Sequence, residues 1–320
     1  MIDIKTGKVL AAQFYHHDDS DASLGSAAGG NSEMRFALAS TPAVIDSDFD
    51  GFADLIYVGD LGGNVWKWVI RTPGVDKINP TENTTKFQSN WTFGKFFQAP
   101  SATIGATTYY KSFFFPPTLV FYGSQLWMTI GSGERANPSW PGADAADDSE
   151  NNRLYVFKDP NQYGLPNSDL SGDAIVDPVV LESHLADLTS TTGCASLSTL
   201  GYYLVAREGE KFVTNIELIA NLAFTGSFTP SGSGDPCDAG GSATLYAFKF
   251  FCGEGFYPAN TGADQRRLEL GDGVPTSPRL SLGEENRLYM MTSENELKSP
   301  PPPPIPKPGE GIFYWRELTQ

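Results

Sequence analysis

Four aspartates lie in one short segment, Asp46-Ser-Asp48-Phe-Asp50-Gly51-Phe-Ala-Asp54, at positions 1, 3, 5 and 9. This spacing directs the carboxylates toward one centre, and the glycine at position 6 permits the sharp turn that convergence requires. Converging carboxylates repel one another unless a cation lies between them, and Ca²⁺ accepts about six to eight oxygen ligands. The sequence therefore predicts a calcium site. The predicted ligands are the carboxylates of Asp46, Asp48, Asp50 and Asp54 and the backbone carbonyl of Phe52.

The segments that flank this loop have the pattern of strands rather than of helices. Residues 41–45 and 55–58 are rich in apolar and β-branched side chains, which favours strands. A full EF-hand has Glu at position 12 of its loop, where this chain has Tyr57. We therefore expect a calcium loop inside a β-hairpin. The alternative is a solvated acidic turn that binds no metal.

Composition excludes some classes of function. The chain has 320 residues and a net charge of −16, from 22 basic and 38 acidic residues. A nucleic-acid-binding protein needs a basic face to neutralise phosphates, so this class is not expected. No apolar run approaches the roughly 20 residues that cross a bilayer, so no transmembrane segment is expected. Residues 1–20 lack the pattern of a signal peptide and begin within a hairpin pattern. They suggest the C-terminal part of a longer exported protein.

Similar strand–turn–strand units recur along the chain. Each has a proline-containing entry, an alternating strand, a glycine turn and an aromatic strand, as in residues 41–68, 117–159 and 276–297. Repeats of roughly 40–60 residues are typical of β-propellers. We predict an all-β fold: one domain over residues 1–320, a partial or modified β-propeller of about five to six quinoprotein-like blades with long loop insertions. Only residues 177–188 could form a short helix.

The chain has three cysteines, Cys194, Cys237 and Cys252, without the spacing of a zinc site. Cys194 precedes one expected strand and Cys237 follows the expected returning strand. One strand out and one back would place both residues at the same end of a hairpin, so a Cys194–Cys237 disulfide is predicted. Three buried free thiols are the alternative.

Two further groups of residues could bind a metal but have simpler interpretations. Residues 169–173 form a second, weaker candidate for an oxygen-ligand site, although an ordinary turn is favoured. His16 and His17 are adjacent, so on a strand they would point to opposite faces. With His184 they are the histidines of the chain, and no nucleophile elbow accompanies them. A hydrolase is therefore not predicted.

Five motifs occur in order across nearly the whole chain, and together they resemble one family. That family is the C-terminal propeller of PilC/PilY-type proteins, which are type IV pilus tip adhesins and biogenesis factors. The motifs are the aspartate loop running into Tyr57-Val-Gly-Asp-Leu-Gly-Gly-Asn-Val-Trp66, Gly131-Ser-Gly-Glu-Arg-Ala-Asn-Pro138 with residues 152–159 downstream, Gly201-Tyr-Tyr-Leu with Gly209-Glu-Lys211, residues 235–248, and Gly273-Val-Pro-Thr-Ser-Pro278.

The resemblance implies a function for the aspartate loop and for the chain. In the family this loop binds Ca²⁺, and calcium occupancy modulates pilus extension, retraction or attachment. The resemblance implies an exported, non-enzymatic protein at the pilus tip, the cell surface or the outer membrane. Its expected partners are pilins, minor pilins and a host or abiotic surface. The processes in which it is expected to act are piliation and twitching motility. No Arg-Gly-Asp tripeptide is present, so integrin binding is not predicted.

Two alternatives to this function remain. Quinoprotein dehydrogenases share the propeller plan and use calcium, but they clamp pyrroloquinoline quinone, commonly with a disulfide between adjacent cysteines. This chain has no adjacent cysteine pair. The second alternative is a secreted propeller that calcium stabilises and that has no connection with pili.

Overall fold

The computed structural model describes residues 7, 12–15, 28–70, 92–136, 151–197, 199–231, 240–257, 265–281, 287–294 and 296–300. Almost all regular structure in these ranges is β-strand, and they also contain a 3₁₀ turn at Glu182–His184. The strands are β1 Ala12–Tyr15, β2 Ala28–Asn31, β3 Ala43–Ile45, β4 Leu55–Gly59, β5 Asn64–Val69, β6 Thr92–Gln98, β7 Ala102–Ile104, β8 Thr107–Tyr109, β9 Thr118–Tyr122, β10 Gln125–Gly131, β11 Arg153–Lys158, β12 Val180–Leu181, β13 Ala186–Asp187, β14 Gly201–Val205, β15 Lys211–Phe212, β16 Glu217–Ile219, β17 Leu222–Pro230, β18 Gly241–Lys249, β19 Arg267–Asp272, β20 Arg279–Ser281, β21 Arg287–Met291 and β22 Leu297–Lys298.

Most of these strands form four sheets that follow one another along the chain. The first sheet has the order β12-β6-β5-β4-β3 and the second has the order β13-β14-β11-β10-β9. The third has the order β15-β17-β18-β19, with β16 paired to β17, and the fourth has the order β20-β21-β22. Neighbours are antiparallel, except that β12 and β13 each add to a sheet in parallel. The pairs β1-β2 and β7-β8 form separate two-stranded sheets.

Each central sheet buries both of its faces. Along β10, Leu126, Met128 and Ile130 pack against the first sheet, whereas Trp127 packs against the third. The next strand alternates in the same way, with Tyr155 facing the first sheet. A third cluster joins the third sheet to the fourth. Sheets stacked face to face in chain order are the arrangement of propeller blades, so the predicted all-β, propeller-type fold is confirmed.

The described part of the chain differs from the sequence prediction in one place. Residues 177–188 are not an α-helix: they form β12, the 3₁₀ turn and β13, because their backbone groups complete the edges of two different sheets. The described ranges contain four sheets of three or more strands, and the number of blades in the whole chain stays a prediction. The sequence also predicts a polyproline loop over residues 299–308 and a closing strand over residues 311–317, but residues 301–320 lie outside the described part of the chain. In the part of the chain that the structure describes, no helix combines the length and apolar character needed to cross a bilayer.

The Gly-Asp-Leu-Gly-Gly-Asn-Val-Trp motif is a turn organised by one buried carboxylate. Asp60 accepts hydrogen bonds from the backbone amides of Gly62 and Asn64, both at 2.9 Å. It also accepts one from the indole nitrogen of Trp66 at 2.8 Å and one from the side-chain amide of Asn64. Trp66 is buried and stacks on Phe93. This motif is therefore a structural hairpin turn, since its polar groups satisfy one another.

A buried ion pair crosses between the first two sheets. The ammonium of Lys67, on β5, lies 2.5 Å from the carboxylate of Asp159, which directly follows β11. The same carboxylate accepts a hydrogen bond from the hydroxyl of Tyr57. Burial lowers the pKa of Lys67, although the charge of Asp159 acts in the opposite direction. Removing one partner would leave the other charge buried without compensation, which is costly.

We predict that Lys67→Met lowers the free energy of unfolding by about 3–5 kcal/mol, because Asp159 would be left buried without its ion-pair partner. The control is Lys249→Met, which removes the solvent-exposed pair between Lys249 and Glu254 and should cost less than about 1 kcal/mol. Urea denaturation followed by circular dichroism measures both. Equal destabilisation by the two substitutions would contradict the prediction.

Candidate metal centre

The aspartate loop connects β3 to β4 at one end of the first sheet. The amide of Asp54 donates to the carbonyl of Ile45 at 2.9 Å, which closes the base of the hairpin. Within the loop, Gly51 has a φ of 93° and Phe49 a φ of 61°, and both values lie in the left-handed region. The predicted β-hairpin therefore matches the observed backbone, with the glycine at a position where a side chain would be strained.

Three of the predicted ligands lie together. Asp46, Asp48 and Asp50 each place a carboxylate oxygen within 4.8 Å of the other two. Backbone amides of the loop fix their orientation: Gly51 donates to Asp46 at 2.7 Å, and Phe52 donates to Asp50 at 3.0 Å. Oxygen donors of this kind, held close to solvent, form a donor set that suits a hard divalent cation such as Ca²⁺.

Asp54 has a different position from the other three aspartates. Its side chain is fully buried, and its carboxylate accepts hydrogen bonds from the amide of Ser47 at 2.7 Å and from the hydroxyl of Ser47 at 2.5 Å. It is outside the group of three carboxylates. Phe52 is 54% exposed, and because its side chain has no oxygen donor, its backbone carbonyl is the predicted ligand. Metal binding by these residues stays a prediction.

A second aspartate loop, residues 169–177, is closed by its own amides. Asp169 accepts hydrogen bonds from the amides of Ala174 at 2.8 Å and Gly172 at 2.6 Å. Asp177 accepts one from the amide of Leu170 at 2.8 Å. The hydrogen bond from the amide of Ala174 is the largest cause that lowers the pKa of Asp169, and the amide of Gly172 acts in the same direction. The hydrogen bond from the amide of Leu170 is the largest cause that lowers the pKa of Asp177.

The two loops have the same pattern of internal hydrogen bonds. In both, the amide at position 6 donates to the carboxylate at position 1, and the amide at position 7 donates to the carboxylate at position 5. In both, the amide at position 2 donates to the aspartate at position 9, whose own amide bonds the carbonyl before position 1. Positions 4 and 6 have positive φ in each loop.

Sequence reasoning considered only residues 169–173 and missed Asp177. The same spacing of positions 1, 3, 5 and 9 would have revealed it, with Ser171 in place of an aspartate at position 3. Among the described residues, only the first loop brings three carboxylates within 4.8 Å. A second, weaker oxygen site stays a prediction, and an ordinary turn explains the contacts of this loop.

The predicted Cys194–Cys237 disulfide is wrong, because Cys194 is bonded to Cys252. Cys194 lies in the loop before β14, in the second sheet, and Cys252 lies in the turn after β18, in the third sheet. The amide of Ala195 donates to the carbonyl of Cys252, so this loop and this turn are in contact. The sequence prediction assumed that both cysteines belong to one hairpin, whereas the disulfide joins two sheets. Cys237 lies outside the described residues. The oxidised sulfurs offer no thiolate for a metal site with the nearby Glu254.

Of the three histidines, only His184 lies among the described residues. It is buried, and its Nδ1 accepts a hydrogen bond from the amide of Leu181 at 3.1 Å. Its Nε2 lies 3.7 Å from the carboxylate of Asp177. These contacts fix the 3₁₀ turn beside the second aspartate loop, which is a structural role.

Comparison with known proteins gives a match in structure. No family model matches this chain, and no curated protein matches it in sequence. The structure is similar to the crystal structure of the Pseudomonas aeruginosa PilY1 C-terminal domain, with a TM-score of 0.56 and 18% sequence identity. The likeness is one of fold. It covers 94% of this chain and 66% of that domain, so the predicted resemblance to a PilC/PilY-type C-terminal propeller is confirmed in architecture.

We predict that Asp50→Ala weakens calcium binding at least about tenfold, because it removes one of only three gathered carboxylates and affinity follows the number of ligand charges. Isothermal titration calorimetry measures the affinity. The matched control is Asp272→Ala, which makes the same charge change at an exposed position of β19. Unchanged affinity in Asp50→Ala would refute the ligand assignment.

We also predict that calcium stabilises the folded chain, because the carboxylates converge only when the hairpin is formed. At 100 times Kd the gain is about 2.7 kcal/mol. Thermal unfolding in calcium and in EGTA measures it. A melting temperature that does not respond to EGTA would contradict a site in this loop.

Proposed function

We propose that this chain is a calcium-binding, non-enzymatic component of a type IV pilus system, exported and located at the pilus tip or cell surface. The observation that carries this proposal is the group formed by Asp46, Asp48 and Asp50, which lies in a fold similar to the PilY1 C-terminal domain. A fold alone does not determine function, so the loop and the family resemblance are both needed.

The loop would act through charge. Three carboxylates within 4.8 Å of one another repel, and a bound Ca²⁺ would neutralise that repulsion. The residues of the chain supply the geometry: the amide of Gly51 orients Asp46, and Ser47 is held by the buried Asp54. The free loop would therefore be looser than the filled one. Such a change in order is a known kind of switch and would modulate pilus extension, retraction or attachment.

Two further features support an exported surface protein. The Cys194–Cys252 disulfide is of the kind that persists in oxidising compartments. The net charge of −16 suits a soluble surface that meets calcium outside the cell. Pilins, minor pilins and a host or abiotic surface are the proposed partners.

The genetic test neutralises the loop in the full-length protein. We predict that cells carrying Asp46→Asn, Asp48→Asn and Asp50→Asn together differ from wild type in piliation, twitching or attachment at equal protein level, because the three gathered side chains would be neutral and would lack the carboxylates that bind calcium. Asp272→Asn is the control for a lost surface charge and should behave as wild type.

Wild-type behaviour of the triple variant in all three assays would refute the pilus-linked calcium switch. Reduction of a dye by the purified protein, given pyrroloquinoline quinone and an alcohol, would instead favour a dehydrogenase.

A further inference from the structure

A segment of the second sheet crosses onto the first. After β11 the chain leaves the second sheet, adds β12 to β6 of the first sheet, and returns as β13 beside β14. We call residues 159–187 the strap. Because the strap belongs to both sheets, its position depends on how these sheets pack together.

The start of the strap is fixed on the first sheet. Lys67 binds Asp159 and also donates to the carbonyl of Asn161 at 2.7 Å. Further along, Leu165 covers Gly94 of β6, where an added Cβ would lie 2.5 Å from the Leu165 side chain. Between these two anchors the strap passes the aspartate loop.

One side chain of the strap reaches the aspartate loop. The hydroxyl of Tyr163 lies 3.0 Å from the hydroxyl of Ser47, the residue between Asp46 and Asp48. Ser47 donates its own hydroxyl proton to Asp54, and Tyr163 accepts a hydrogen bond from Gln162. Tyr163 must therefore donate to Ser47, which gives a directed chain from the strap into the loop.

A second contact joins the loop to the second sheet. The ring of Phe49 lies 6.1 Å from that of Phe121 in edge-to-face geometry, although Phe49 remains 58% exposed. Phe49 is the loop residue with φ of 61°, between Asp48 and Asp50. The loop thus contacts the strap through Ser47 and the second sheet through Phe49, the two residues on either side of Asp48.

We propose that Tyr163 is a positioning residue for calcium binding, and that calcium in the aspartate loop and docking of the strap stabilise each other. This inference rests on the proposed calcium site. Tyr163 holds Ser47, and Ser47 sets the backbone between the first two carboxylates. Coupling of this kind is reciprocal: whatever the strap adds to calcium affinity, calcium adds to the stability of the docked strap.

The experiment uses the whole chain with calcium chloride or EGTA. Hydrogen exchange read by mass spectrometry reports local opening in residues 46–54 and in residues 159–170. In the wild type we expect calcium to slow exchange in both segments. In Tyr163→Phe, calcium should still slow exchange in the loop but no longer in the strap, and calorimetry should give an affinity about 2- to 10-fold weaker, the range of one lost hydrogen bond.

Two controls separate this role from general stability. Tyr110→Phe removes a hydroxyl of similar exposure at the other end of the first sheet, beside Phe36, and should leave both readouts unchanged. In a Ser47→Ala background, Tyr163→Phe should have no further effect on affinity, because its partner is already absent. An additive loss in the double variant would overturn a route through Ser47.

The outcomes distinguish this inference from the proposed function. If the wild type binds calcium and the loop is protected but the strap is not, or if Tyr163→Phe binds as the wild type does, the coupling is refuted and the calcium site stands. If the wild type does not bind calcium, both the proposed site and the coupling are refuted.

Discussion

The structure depends on sheets that are buried on both faces. A sheet with one solvated face can place polar side chains on alternate positions of every strand, but the second sheet here has the first sheet on one side and the third on the other. Its strands must be apolar at nearly every position, as along β10, where residues 126–128 and 130 are buried hydrophobics. Stability therefore comes from contacts between sheets. Phe97 illustrates this, since its ring on the first sheet meets Tyr155 and Phe157 of the second at centroid distances of 4.9 and 4.8 Å.

Polar groups within such boundaries must be satisfied locally, because water does not reach them. Lys67 and Asp159 form an ion pair between the first and second sheets. Glu210 has a similar role between the second and third sheets. The buried Glu210 accepts hydrogen bonds from the hydroxyls of Ser227 and Tyr246 within the third sheet, and its backbone carbonyl accepts one from Asn152 of the segment before β11. These contacts join sheets at defined registers, which apolar surfaces alone would leave free to slide. The register in turn fixes the loops at the ends of the strands, the aspartate loop among them.

Features that depend on local spacing could be predicted from the sequence, and features that depend on distant pairing could not. Alternation within single strands indicated the sheets, and the spacing of Asp46, Asp48 and Asp50 indicated a loop that gathers their carboxylates. The strap escaped prediction because β12 has two residues, and its pairing depends on the open edge of β6, more than eighty residues earlier. The Cys194–Cys252 disulfide was missed for a related reason. It joins two sheets, and counting strands along the chain does not show which loops of different sheets lie next to each other.

The place of the aspartate loop at the edge of a sheet boundary has a physical consequence. Without a cation we expect the loop to lose order before the rest of the hairpin, because its carboxylates repel and its Phe49 and Phe52 are mostly exposed. Its base is better anchored, since Asp54 is buried and its amide and carbonyl bond to Ile45 and Ile70. A change of order confined to the charged tip would alter little in the sheet that carries it. The surfaces next to this tip are the strap, which Ser47 meets at Tyr163, and the second sheet, which Phe49 touches at Phe121. The contacts of the loop therefore lead to neighbouring segments and not only along the strands of its own sheet.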